Sequence, residues 1–176
     1  MALFIGIDLP EETKKIIYKK LEPVRNEHRD FSWLTPDDYN IPLLFFPEKQ
    51  DVSDFEAKMY SALQSTNAFE LYSREANLYI KNKLHYYLEF HREHKLEDLV
   101  ENLQSTFEVS PHEKFVPRIS LGKSRIPSKQ IYFLLKKQMQ LLDIQINFPT
   151  DTVYLYESVY GGKKPVYLKK IAFQLS

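Results

Sequence analysis

The sequence predicts an α+β chain in which antiparallel strands cluster between four amphipathic helices. Three observations predict it. Apolar residues recur at helical spacing in four segments and run or alternate as strands in the stretches between. The strands come in adjacent groups rather than one per helix, which argues against a doubly wound parallel sheet. Two strands, Tyr39–Phe46 and Pro117–Gly122, are built alike: each follows an aromatic or proline lead-in, sets residues i and i+2 on one face, and precedes an amphipathic helix. This duplication in topology predicts one bilobal domain over residues 1–176, with equivalent strands facing each other across a cleft.

Ala2–Asp8 is a compact apolar run and reads as a strand buried on both faces. Pro10-Glu11-Glu12 then starts a helix, because proline suits the first helical position and acids suit the first turn. Ile16, Ile17, Leu21 and Val24 form its expected inner face, with Lys14, Lys15, Lys19 and Lys20 outside and Pro23 ending or kinking it. Phe31–Leu34 is a short strand, Thr35–Asp38 a turn, and Tyr39–Phe46 a strand closed by Pro47. Asp51–Asn67 is a helix carrying Val52, Phe55, Met59, Ala62 and Leu63 on one face. Phe69–Ile80 and Leu84–Phe90 pair around Lys81-Asn82-Lys83. Lys95–Phe107 is a helix with Leu96, Leu99, Val100, Leu103 and Phe107 on one stripe. Ser128 caps a helix through Leu142 whose inner face is Ile131, Leu134, Leu135, Met139 and Leu142. Strands at Ile144–Phe148, Thr152–Ser158 and Val166–Phe173 end the chain, the last two separated by a Gly161-Gly162 turn.

Composition narrows the function classes. At 43% hydrophobic and 27% charged residues the chain is globular rather than disordered. No apolar run is long enough to span a membrane, and the acidic start is unlike a signal peptide, so a cytoplasmic, monomeric protein is expected. The absence of cysteine excludes disulfides, a thiol nucleophile and thiolate metal ligands. Only four glycines, none in a phosphate-loop pattern, argue against a dinucleotide or Walker-type site, and no cofactor is expected. Net charge is zero, yet residues 111–176 hold eleven Lys/Arg against four Asp/Glu. That excess allows a local anion site, although Lys163, Lys164, Lys169 and Lys170 read first as solvated.

Within Phe115–Lys123, alternation puts Arg118 and Ser120 on one face, with Val116 and Gly122 in line, and points Ile119 and Leu121 to the core. A guanidinium beside a hydroxyl suits a phosphate; a solvated edge strand is the plain alternative.

Taken together, Leu3–Pro10, Phe31–Tyr39, Phe115–Pro117, Leu121–Lys123, Leu155–Ser158 and the final strand with Tyr167 resemble, nearly end to end, the two-histidine (2H) phosphoesterase superfamily. Within it, the sequence is similar to the 2′-5′ RNA ligase / RNA 2′,3′-cyclic phosphodiesterase proteins. The resemblance implies two His-x-Thr/Ser motifs, one per lobe, whose histidines serve as general base and acid and whose hydroxyls hold the phosphate. Those motifs fall on Asn40-Ile41-Pro42 and Arg118-Ile119-Ser120, so both histidines and one hydroxyl are replaced. Asn40 has no usable proton equilibrium, Arg118 stays protonated, and Pro42 offers neither hydroxyl nor N–H. Each acid or base role is worth roughly 10²–10⁴ in rate.

The expectation is therefore the family's scaffold without its reaction, binding a nucleotide or RNA-end phosphate through Asn40, Arg118, Ser120 and Lys123, with Arg125 adding charge. Two alternatives stand beside it: an active RNA 2′,3′-cyclic phosphodiesterase using atypical residues, and a non-catalytic protein-interaction scaffold. Of the five histidines, His28, His85, His91, His94 and His112, none is followed two residues on by Ser or Thr. His91-x-x-His94 beside Glu93 lacks a third ligand, so no metal is expected. His85 shares a strand face with Tyr87, turned to solvent or to the cleft.

Overall fold

The computed structural model describes residues 2–47, 52–162 and 164–176. In chain order the elements are β1 (Ala2–Asp8), α1 (Glu11–Lys20), α2 (Glu22–Glu27), β2 (Ser32–Trp33), a 3-10 turn (Pro36–Asp38), β3 (Asn40–Phe46), α3 (Val52–Leu63), β4 (Phe69–Lys81), β5 (Lys83–Phe90), α4 (His94–Phe107), β6 (Arg118–Ser124), α5 (Lys129–Leu141), β7 (Asn147–Thr150), β8 (Thr152–Tyr160) and β9 (Pro165–Gln174). Asp51, the expected first residue of the second helix, and Lys163 lie outside the described residues, as does the side chain of Val52.

Two antiparallel sheets result: a four-stranded sheet in the order β3-β1-β8-β9 and a five-stranded sheet in the order β2-β6-β5-β4-β7. This is the expected bilobal α+β architecture. β1 is central in its sheet, so Phe4 through Ile7 are buried in succession on both faces. α3 and α4 pack on each other, and α4 also contacts β3. Their junction is aromatic, with Phe46 edge-on to Phe55 and Phe107 at centroid distances of 5.7 and 5.0 Å. β3 and β6, the two strands built alike, touch where the sheets meet.

Each of these two strands carries one extra residue at the same place. On β3, Asn40, Ile41 and Pro42 face Asp8, Ile7 and Gly6; the register then skips Leu43, and Leu44 faces Ile5. On β6, Arg118, Ile119 and Ser120 face Glu89, Leu88 and Tyr87; the register skips Leu121, and Gly122 faces Tyr86. A bulge of this kind re-aims the side chains that follow. Gly122 is consequently buried rather than continuing the exposed line of Ser120, and Lys123 turns outward instead.

Several expected faces are corrected. On α1, Lys14 is buried at 5% exposure and Ile16 is exposed at 45%. The face that packs runs through Lys14, Ile17, Leu21 and Val24, and two adjacent isoleucines cannot both share it. Pro23 produces a kink: Leu21 joins α1 to α2 with Pro23 in the first turn. On α5, Leu135 and Met139 are buried, whereas Ile131 and Leu134 are exposed. Ser128 caps it as expected, its hydroxyl accepting from the Ile131 N–H. Ile144 and Ile146 are buried but precede β7; Ser73 Oγ donates to their carbonyls instead. The short strand expected over Phe31–Leu34 contracts to Ser32–Trp33.

Candidate functional site

Two neighbouring cavities flank Tyr167. The first, about 390 Å³, lies between the sheets. The five-stranded sheet supplies Ser32 and Trp33 from β2, His85 from β5, and Ser120, Gly122 and Lys123 from β6; Pro165 and Tyr167 come from β9 of the other sheet, and Lys164 immediately precedes it. Trp33 is a fixed wall. Its indole N–H donates to the His28 carbonyl at 2.8 Å, and its ring packs on Tyr86 at 5.0 Å. Gly122 lets it come close, since a Cβ there would stand 2.8 Å from the Ser32 carbonyl oxygen.

Ser120 and Lys123 thus line one cavity, and the bulge at Leu121 is what puts them together. Arg118 lies one step along the same face of β6 from Ser120. Its guanidinium stacks over Tyr79 at 4.7 Å and Tyr87 at 5.5 Å. Glu89, directly across the ladder, bonds Arg74 at 2.7 Å, and Arg118 takes no carboxylate among the described residues. Burial pushes the Tyr87 phenol up, and the nearby Glu89 adds to this against the opposing charge of Arg118. Arg125 instead lines a separate hollow with His28, Phe31 and Pro127.

The second cavity, about 320 Å³, holds Asn40. Asn40 is 8% exposed, and its amide donates to the Asp38 carbonyl at 3.3 Å. Beside it is an ion cluster: Asp8 takes Lys14 Nζ at 2.8 Å and also Lys169 from β9. Burial raises the Asp8 carboxyl pKa, but hydrogen bonds and charge from the two lysines outweigh that and leave it below the ordinary value. Burial likewise opposes the charge on Lys14, and Asp8 more than compensates, so its pKa is raised. The Tyr156 hydroxyl in this wall is buried with no hydrogen-bond partner among the described residues. Pro42 faces Gly6, whose missing side chain leaves room against the Ile41 carbonyl and Tyr156.

The C-terminal lysines are not merely solvated. Each keeps about half its side chain in water, yet Lys164 meets Asp38 at 2.8 Å, Lys170 meets Glu157 at 3.2 Å, and Lys169 meets Asp8. Lys164 also donates to Thr35 Oγ1, tying β9 to the turn before β3. Asp38 is held below the ordinary carboxylate value: burial raises it, and Lys164 and Thr35 outweigh burial.

His85 points to the cleft, stacked on Tyr79 at 4.9 Å with ring planes 11° apart. Because a carbonyl only accepts, its Nε2–H donates to the Lys81 oxygen at 3.0 Å. His94 begins α4, and no group of three metal-ligating side chains exists among the described residues. No described helix is long and apolar enough to cross a membrane. Sequence reasoning missed Trp33, Tyr167, Lys164 and the Asp8–Lys14 pair as parts of these cavities. The lone tryptophan in the lead-in to the first motif was the available signal.

No protein-family model matches the chain. It is 25% identical over 180 residues to an RNA 2′,3′-cyclic phosphodiesterase of Thermotoga maritima, covering 95% of this chain and 91% of that one. Among solved structures, TT0787 of Thermus thermophilus superposes with a TM-score of 0.79 at 20% identity, over 99% of this chain and 98% of that chain. E. coli LigT, crystallised with 3′-AMP, superposes with a TM-score of 0.72 at 17% identity and the same coverage.

Proposed function

We propose that the chain, which fits the 2H phosphoesterase / 2′-5′ RNA ligase family, binds the phosphate of a nucleotide or RNA end in the inter-sheet cleft without the family's acid–base chemistry. The observation that carries this reading is Arg118. Its guanidinium rests on two tyrosine rings, unclaimed by any carboxylate among the described residues, one step from the Ser120 hydroxyl and the cavity holding Lys123 and Lys164. A guanidinium offers a phosphate two parallel hydrogen bonds, Ser120 can donate a third, and the lysines add charge. Trp33 and Tyr167 supply aromatic walls of the kind that nucleobases use. One chain supplies both walls of the cavity, so a monomer suffices as the binding unit.

The two motif positions argue against turnover. Arg118 cannot accept a proton at working pH. Asn40 has no proton equilibrium, and its amide is turned to the Asp38 carbonyl. Phosphate can therefore be held and polarised, but neither motif residue can activate the attacking group.

The test is calorimetric titration with a short oligoribonucleotide ending in a 2′,3′-cyclic phosphate, at two salt concentrations, alongside an assay for ring opening. The reading expects salt-sensitive binding, a loss of about 10- to 100-fold in Arg118→Ala, and no turnover. Equal binding by wild type and Arg118→Ala overturns the phosphate assignment. Ring opening that depends on Arg118 or Ser120 overturns the claim of inactivity.

A further inference from the structure

Resting on that phosphate reading, a second feature of the same face specifies what is attached to the phosphate. Tyr79 on β4 and His85 on β5 stand opposite each other in the ladder and stack almost parallel, 4.9 Å apart and 11° from coplanar. Of the two, only His85 borders the inter-sheet cavity, so the pile ends there on an imidazole. The ring cannot swing freely: Nε2–H is bonded to the Lys81 carbonyl, and Tyr79 supports it. Arg118 lies over Tyr79 as well, so the anion-binding side chain and the ring pile share one support.

The spacing along the ladder suits one nucleotide. Tyr87 faces Ser120 and His85 faces Lys123, two residues further along β5. Two residues of strand span about 7 Å. That separates the phosphate position from the imidazole by the reach between a ribose phosphate and its own base. Trp33 closes the same cavity from β2.

We infer that the nucleobase of the bound nucleotide stacks on His85, extending the Tyr79–His85 pile, while its phosphate lies at Arg118 and Ser120. The site thus takes a nucleoside phosphate in preference to a bare phosphate or a sugar phosphate. Every base has a π-face, so it distinguishes base from no base more than one base from another.

The experiment compares calorimetric affinities of adenosine 3′-phosphate and an abasic ribose phosphate for wild type, His85→Ala and His85→Phe, with a thermal melt on each variant to verify folding. Wild type is expected to favour the nucleotide by about 10-fold. His85→Ala should abolish that preference, and His85→Phe should keep it, because a benzene ring stacks without donating a hydrogen bond. A preference that survives in His85→Ala overturns the assignment. So does its loss in both folded variants, which would mean that the imidazole acts by hydrogen bonding or charge. If neither ligand binds wild type, the phosphate reading fails and this inference falls with it.

Discussion

Replacing Gly122 with alanine tests whether Trp33 is a fixed wall of the cleft. An added Cβ would stand 2.8 Å from the Ser32 carbonyl oxygen, 3.0 Å from Trp33 Cε3 and 3.2 Å from Trp33 Cα. Two of these atoms are backbone, so no rotamer change relieves the contact. β2 must move away from β6, straining the Ser32–Lys123 and Trp33–Gly122 pairing and the 2.9 Å bond from the Leu34 N–H to the Leu121 carbonyl. Overpacking of this kind costs about 1–3 kcal/mol. For a chain of this size each kcal/mol lowers Tm by about 2–4 °C, so a fall of roughly 6 °C is expected. Trp33 is the only tryptophan, and its emission reports the wall directly. Differential scanning calorimetry and Trp33 fluorescence should therefore shift together, and nucleotide affinity should fall, because Ser32, Trp33 and Gly122 line one cavity. A Tm within about 1 °C of wild type with unchanged Trp33 emission would refute the reasoning.

Lys14→Met should destabilise the fold by about 3 kcal/mol, the lower end for breaking a buried pair, because Lys169 still faces Asp8. Its pH signature is specific. Asp8, lowered in the fold, contributes stability above its unfolded value that is lost as pH falls through the folded one. Lys14, raised, contributes below its unfolded value and loses that contribution as pH rises through the folded one. Melts across pH should show the alkaline loss disappear in the variant and the acid loss shrink. Lys164→Ala should raise the Asp38 pKa, visible in a carboxyl NMR titration, with a stability cost of at most about 1 kcal/mol since Lys164 is half solvated. An unmoved Asp38 titration would show that the latch is not formed in solution. The triple variant Asn40→His, Pro42→Thr, Arg118→His should show more ring-opening activity on a 2′,3′-cyclic nucleotide than the wild type assayed beside it; an inert, folded triple variant would count against the motif alignment.

Patterns that involve one surface were legible in the sequence, and those that depend on a partner elsewhere were not. β1 and α4 followed from local runs and stripes, because their neighbours cover Phe4 through Ile7 on the one and Leu96, Leu99, Val100, Leu103 and Phe107 on the other. α1 misled because a hydropathy pattern assigns lysine to solvent, and nothing local says that Asp8 waits six residues earlier to receive Lys14. α5 misled differently. Its apolar residues wrap more of the helix than the sheet covers, so Ile131 and Leu134 remain outside. The bulge at Leu121 had a signal in Gly122, since glycine inside a strand marks a bulge or a close approach and here marks both. The bulge at Leu43 had a signal in Pro42 beside it, since proline inside a strand marks an edge or a bulge. Arg118, Ser120 and Asn40 could be placed by motif position, but the cavity's outer wall comes from Lys164 and Tyr167, more than 40 residues further along the chain.

The two halves of the cleft share a backbone plan and differ in what holds their charges. In each, the first motif position faces a carboxylate across the ladder: Asp8 opposite Asn40 and Glu89 opposite Arg118. On the Asn40 side the carboxylate is satisfied internally by two lysines, one of them buried, and the neutral amide adds no charge. On the Arg118 side the carboxylate is drawn to Arg74, leaving the guanidinium with only aromatic faces beneath it. The ion cluster beside Asn40 is therefore closed on itself, whereas the Arg118 guanidinium meets no carboxylate among the described residues. A histidine introduced at position 40 alone would face an Asp8 already bonded twice and would leave the guanidinium at position 118 in place, so on the proposed reading a gain in ring opening is expected only when both positions change together.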